Sequence, residues 1–335
     1  MKALLRRSDT PRDFYLGEAQ EPQPQPGQVK IQVAYAGICG SDLHIYLGQD
    51  PGLPQPIHGH EFSGTIAALG EGVTGLAVGD RVTAEHTYQV CGQCAFCKTG
   101  RYQLCAKRRS IGFDIPGGFA DYVLVYPQYI HKLPDNISLR AGALTEPLAC
   151  IVHAVELVAT RPALPALVVG PGPMGLLTGL VLQAYGCKVD ILGTAADAER
   201  LERAAAAGLR VVEHPGSYPL VAECSGSAGG ICCAIGAAEK GGTILQVGIA
   251  TREVPLPYDQ IVYKELRIQG TFCHVWKDWE QALRLQSAGL LDVSSVITGI
   301  VPLEDWRSAF DRLVEKQGLK TLFQMDAATG MPETG

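Results

Sequence analysis

The sequence predicts an α/β protein of two domains: a mostly β first half that also takes back the end of the chain, and a parallel-sheet half between. Three observations carry this. The chain has 335 residues, more than one hydrophobic core usually serves. Before about residue 150, apolar or alternating runs are cut short by Gly and Pro. After it, short apolar runs alternate with helical stretches, the mark of a parallel sheet with crossover helices. Residues 1–153 with 275–335 are expected to form the first domain, and 154–274 the second.

In order along the chain, VKIQVAYAGI (29–38) and SGTIAALGEGV (63–73) read as strands, and GLAVGDRVT (75–83) as a turn entering another. An antiparallel, partly closed sheet follows from them. ALVVG, MGLLTGLVLQAYG, KVDILG, DAERLERAAAAG, LVAEC, ICCAIGAAEKGG and TILQVG then spell strand and helix in turn between 166 and 248. Between Gly208 and Leu220, GLRVVEHPGSYP leaves no room for a usual crossover, so this half is expected to be abbreviated by one helix. In TGIVPLEDWRSAFDRL, Leu303, Trp306, Phe310 and Leu313 fall at helical spacing on a segment expected to rejoin the first domain.

Composition narrows the function. With 47% hydrophobic and 19% charged residues the chain has ample material for a core, and a net charge of −6 disfavours nucleic-acid or anionic-membrane partners. Pro162–Cys187 carries no charge, but its prolines and glycines make it a buried strand, turn and helix rather than a membrane span. The eleven cysteines are an odd number, and the start MKALLRRSDT shows no secretory pattern. A cytoplasmic protein is the expectation.

Two groups of metal-ligating residue types stand out. Cys91, Cys94, Cys97 and Cys105, spaced C-x2-C-x2-C-x7-C, suit a closed tetrahedral structural zinc far better than disulfides. Cys39, His60, Glu61 and the distant Glu146 mix soft and hard ligands, as a catalytic zinc with one exchangeable position requires. Cys150, Cys187, Cys224, Cys232, Cys233 and Cys273 lie in apolar runs and are read as ordinary buried thiols. His58 is read as structural.

Gly170-Pro171-Gly172-Pro173-Met174-Gly175 is G-x-G-x-x-G between a strand and a helix, where a pyrophosphate must approach backbone and helix N-terminus with no Cβ in the way. The acidic residue that should hold the ribose hydroxyls of NAD is displaced. Asp190 has the right count but lies inside KVDIL, and Thr194 stands near the strand's end. With Arg200 and Arg203 following, both NAD and NADP stay open.

Together GHEFSGTIAALGEGV, the four-cysteine lobe, TEPLAC, GPGPMG, ECSG and VG resemble the zinc-dependent medium-chain dehydrogenase family over nearly the whole chain, especially its polyol (sorbitol-like) branch. The resemblance implies a GroES-like catalytic domain clasping a Rossmann domain, with the reaction in the cleft between them. It implies two zinc ions per chain: a catalytic one on Cys39, His60 and Glu146, with Glu61 able to exchange onto the metal, and a structural one on the four cysteines. Asp42 would orient His60, and Ser41 with His44 would relay the proton. NAD or NADP would lie on Gly170, Gly172, Pro173, Met174, Gly175, Thr194, Arg200, Val247 and Gly248. The reaction implied is hydride transfer between a small-molecule polyol or secondary alcohol and its ketone, in a homo-oligomer, dimer or tetramer. A threonine-type or short-chain secondary alcohol dehydrogenase is the neighbouring expectation, and a non-catalytic zinc-stabilised nucleotide sensor the rival of another class. Tyr46, Leu47, Phe113 and Phe272 are expected to shape the substrate pocket.

Overall fold

The computed structural model describes residues 1–49 and 56–326, arranged as two compact units. The first takes Met1–Pro147, Val275–Ser287 and the chain from Ile297 on; the second takes Leu148–His274 and Ala288–Val296. The second unit begins a little before the expected 154 because the helix Thr145–Glu156 runs on without a break. It keeps Ala288–Val296 because Val293 and Val296 are buried there, on a short turn that contacts the helix Pro173–Ala184.

The first unit is built on a seven-stranded sheet. Its order is Ile297–Pro302, Lys320–Gln324, Val29–Gly37, Glu61–Leu69, Arg81–Ala84 and Ile130–Lys132, with Tyr122–Val125 also pairing with Val29–Gly37. All neighbours are antiparallel except the first two. Val29, Ile31 and Val33 alternate onto one core with Phe62, Ile66 and Val82. The helix Trp306–Val314 closes it with Trp306, Phe310 and Leu313, a stripe at i, i+4 and i+7. The Phe310 ring lies 6.2 Å from Phe323 on the adjoining strand, and Phe119 packs edge-on to Phe323 at 5.2 Å.

The second unit is a six-stranded sheet, parallel throughout, in the order Arg210–Val211, Lys188–Leu192, Pro165–Val169, Tyr218–Glu223, Ala238–Gln246 and Arg267–Gly270. Numbered by their order along the chain, these strands run 3-2-1-4-5-6, the doubly wound arrangement with its switch point beside the first strand. The expectation of an abbreviated half holds for the crossover and fails for the sheet. All six strands are present, but residues 212–217 join the third to the fourth with no helix. That link must pass two strands, about 14 Å at sheet spacing. Six extended residues reach roughly 20 Å, enough for a strap and too little for a helix.

Candidate active site

The first cluster forms where the strand Val29–Gly37 ends and the strand Glu61–Leu69 begins. Cys39 precedes the helix Gly40–Tyr46, and its N–H donates to Asp42 Oδ2 at 2.8 Å, fixing the turn that presents the thiol. Gly37 pairs with Glu61 across the sheet, and a Cβ there would lie 2.3 Å from Glu61 Oε2, so the carboxylate needs a glycine opposite it. One ligand atom each from Cys39, His60 and Glu61 lies within 4.8 Å of the others.

This cluster is buried, and its polar atoms are incompletely satisfied. Lys320 Nζ donates to Glu61 Oε1 at 2.6 Å and to the Ile38 carbonyl at 3.1 Å. Glu61 Oε2, His60 Nδ1, Asp42 Oδ1 and Ser41 Oγ have no hydrogen-bond partner among the described residues. Burial by itself would lower the His60 imidazole, but the Cys39 sulfur and the Asp42 and Glu146 carboxylates outweigh it and raise it to about 10. Burial lifts the Asp42 carboxyl to about 6 against the pull of His60. Lys320 is likewise raised: burial opposes its charge, and Glu61 and Cys39 overcome it. So dense a negative field, with an imidazole nitrogen and a carboxylate oxygen left over, fits a divalent cation.

The other expected members sit as follows. Asp42 Oδ1 is 3.9 Å from His60 Nδ1, within ion-pair reach but too far for a hydrogen bond. Ser41 and His44 are not bonded to each other; His44 Nδ1 instead meets Gln49 Oε1 at 2.5 Å. Glu146 Oε1 is 3.2 Å from His86 Nδ1. His86 escaped the sequence reading, yet its ring lies edge-on to His60 at 5.4 Å. Only its place in AEHTYQV, right after a strand, could have signalled it. His58 is structural, as read: its Nδ1 bonds the Gly112 carbonyl at 2.8 Å, and burial pushes it down to about 4. Phe113 packs on His60 at 5.0 Å. Tyr46 corrects the pocket expectation. It is wholly buried in the first core, against Phe310, with its hydroxyl on Asp311 at 2.9 Å, because the helix it ends turns that face inward. Leu47 also packs on that core, and Phe272 is about half exposed on the second unit.

The four cysteines of the lobe are free thiols with ligand atoms within 4.8 Å of one another. Cys94 Sγ and Cys97 Sγ stand 3.5 Å apart, and Cys91 Sγ and Cys97 Sγ 3.9 Å. A zinc tetrahedron with bonds of about 2.3 Å has edges of about 3.8 Å, so the thiols already stand near the corners of one. The backbone N–H groups of Gln93 and Cys94 hold the Cys91 thiol below its usual range, favouring the thiolate a metal needs. Of the remaining cysteines expected to be buried, only Cys187 is; Cys150, Cys224, Cys232, Cys233 and Cys273 keep partial exposure at helix faces and strand ends.

In the second unit, the glycine-rich turn joins the strand Pro165–Val169 to the helix Pro173–Ala184, with Pro173 in the first turn and Gly172 as N-cap. Gly170 has φ +101°, and a Cβ on Gly175 would lie 1.9 Å from the Gly170 carbonyl oxygen. A Cβ on Gly172, by contrast, would meet nothing within 4 Å, so open space lies over the helix N-terminus, as a pyrophosphate requires. Val247 and Gly248 donate their N–H groups to the Glu223 carbonyl at 2.9 and 2.8 Å. The Glu223 carboxylate, which the sequence reading passed over, ties down the neighbouring turn through Ser225 and Gln246 Nε2. Thr194 is exposed just past the second strand, and Arg200 lies half-buried in the following helix, Ala198–Ala206. Asp190 is unavailable to a ligand: it is buried mid-strand, held by Arg210 Nε and Tyr218 Oη, each at 2.6 Å.

Comparison with known proteins agrees with this geometry. Residues 25–135 match the alcohol dehydrogenase GroES-like domain, and residues 173–288 match the zinc-binding dehydrogenase domain. The chain is 37% identical to a sorbitol dehydrogenase of Halalkalibacterium halodurans, over 96% of this chain and 98% of that one. It is 35% identical to a D-arabitol-phosphate dehydrogenase of Enterococcus avium, over 90% and 91%. A crystal structure of 2R,3R-butanediol dehydrogenase from Bacillus subtilis superimposes with a TM-score of 0.87 at 30% identity, covering 96% of this chain and 99% of that one. This chain therefore belongs to the zinc-dependent medium-chain dehydrogenase family, in its polyol dehydrogenase branch, and is an alcohol or polyol oxidoreductase.

Proposed function

We propose that the substrate is a polyol or secondary alcohol with a second hydroxyl beside the reacting one, interconverted with its ketone using NAD or NADP. The relatives' names support this substrate class, since sorbitol, arabitol phosphate and butanediol all carry adjacent hydroxyls. The observation that carries the reading is the convergence of Cys39, His60 and Glu61, with His60 Nδ1 and Glu61 Oε2 left unpartnered. Two zinc ions per chain are part of the proposal, supported by the four-cysteine group and by the Cys39, His60 and Glu61 group.

Cys39 and His60 would hold the catalytic ion, with Glu61 and Glu146 as the two carboxylates able to complete its sphere. When bound, zinc supplies a Lewis acid that acidifies a substrate hydroxyl, and the nicotinamide accepts the hydride. Lys320 holds Glu61 in place through one oxygen and leaves the other toward the cluster. Asp42 sets the Cys39 turn and places negative charge beside the His60 ring. Ser41 Oγ, buried and unpartnered, would take the hydroxyl proton, and His44 would pass it outward. The four-cysteine lobe would hold its ion for structure alone.

A cytoplasmic homo-oligomer completes the proposal. The edge strand Arg267–Gly270 and the helix Tyr258–Tyr263 support assembly, with Tyr258, Val262, Tyr263 and Ile268 all about half or more exposed. Metal content and turnover test the central claim together. The wild-type chain should hold two zinc ions and oxidise polyols or vicinal diols with NAD or NADP; Cys39→Ser should hold one and lose turnover. One ion in the wild type and no turnover on any hydroxyl compound would instead favour a nucleotide sensor.

A further inference from the structure

We infer that Asp197 is the carboxylate that chooses between the two nicotinamide dinucleotides in this chain, and that it chooses against a 2′-phosphate. The inference rests on reading the Gly170–Gly175 turn as a dinucleotide site. The acid at the usual count, Asp190, is buried mid-strand with both carboxylate oxygens held by Arg210 and Tyr218. The strand itself therefore offers no carboxylate at its end, where Gly193 and exposed Thr194 stand.

The short turn that follows restores one. Asp197 Oδ2 accepts the Thr194 N–H at 2.9 Å and the Thr194 hydroxyl at 2.7 Å. This reciprocal cap pins the carboxylate just beyond the second strand and uses only one of its oxygens. Its position relative to the glycine turn is also fixed. A Cβ built on Gly193 would lie 2.8 Å from Pro171 Cγ and 3.2 Å from Asp197 Cβ, so Asp197 and the glycine-rich turn flank the same residue. A ribose whose pyrophosphate sits over Gly172 thus meets a carboxylate able to accept from its hydroxyls. A 2′-phosphate, with a charge of about −1.5 to −2, meets like charge instead. Of the arginines in the following helix, Arg203 lies against Glu199 at 3.4 Å and Arg200 is half-buried.

The test measures dissociation constants of NADH and NADPH by fluorescence titration of the purified full chain, with thermal melts alongside. The wild type should bind NADH at least about tenfold more tightly than NADPH, about 1.4 kcal/mol. Asp197→Asn keeps an oxygen to cap Thr194 but removes the charge, and should shrink that ratio about tenfold with little change in melting temperature. Asp190→Asn should lower the melting temperature and leave the ratio unchanged. A wild type that prefers NADPH, or an Asp197→Asn ratio equal to the wild type's, overturns the inference while leaving the dinucleotide site standing. Binding of neither dinucleotide to the folded wild type overturns both.

Discussion

Replacing Lys320 by methionine isolates the buried ammonium–carboxylate pair beside the ligand cluster. Lys320 Nζ and Glu61 Oε1 are 2.6 Å apart, on side chains only 4% and 0% exposed. At an effective dielectric of about 20, the attraction at that distance is about 6 kcal/mol. Desolvating the two ions costs several kcal/mol each, so the pair as a whole adds little over an apolar pair of the same shape. Removing one partner is a different matter. Lys320→Met leaves a buried carboxylate without its hydrogen-bonded ammonium and strips the Ile38 carbonyl of a donor. The expected loss is about 3–5 kcal/mol in guanidinium unfolding. Chelator is kept present throughout, so that metal binding does not enter the difference. Glu61→Gln alone should also destabilise, and the double variant should recover much of the loss, with a coupling energy of about 2 kcal/mol or more. If Lys320→Met unfolds within about 0.5 kcal/mol of the wild type, or the cycle shows no coupling, the pair does not hold Glu61 and its role in presenting the carboxylate falls.

Three other outcomes follow from particular contacts. Gly175→Ala puts a methyl 1.9 Å from the Gly170 carbonyl; it should cost about 1–3 kcal/mol of stability and abolish measurable dinucleotide binding, and normal NADH affinity in the titration above would contradict the turn's geometry. Tyr218→Phe deletes the hydroxyl that donates to Asp190 at 2.6 Å and should cost about 1–3 kcal/mol, because the buried carboxylate keeps only Arg210; an unchanged denaturation midpoint would mean Arg210 alone satisfies it. Although the residue keeps partial exposure, desolvation of its sulfur by the surrounding atoms pushes the Cys224 thiol up to about 12, so it should stay protonated and resist iodoacetamide at pH 9, where an unperturbed thiol is largely thiolate; peptide mapping that finds Cys224 alkylated as fast as free glutathione would refute that.

Much of this protein could be read from residue spacing alone, and the reason is physical. The four-cysteine lobe closes within one short loop, so C-x2-C-x2-C-x7-C suffices to put its sulfurs 3.5–3.9 Å apart. GPGPMG likewise works locally, because a strand, a tight turn and a helix N-terminus are consecutive in the chain. The alternation of apolar runs fixed the parallel sheet, and the brevity of GLRVVEHPGSYP fixed the missing crossover helix. Groups brought together from distant parts of the chain were beyond its reach. Lys320 meets Glu61 across 259 positions, and His86 meets Glu146 only once the sheet is folded. Asp190 had the right count for a ribose contact, yet strand pairing turned it onto Arg210 and Tyr218. Tyr46 looked like a pocket residue until the helix Trp306–Val314 covered it. Sequence determined which residue types and local turns the chain possesses; the direction in which each buried polar side chain points was decided by tertiary packing, because the partner that satisfies it comes from elsewhere in the fold.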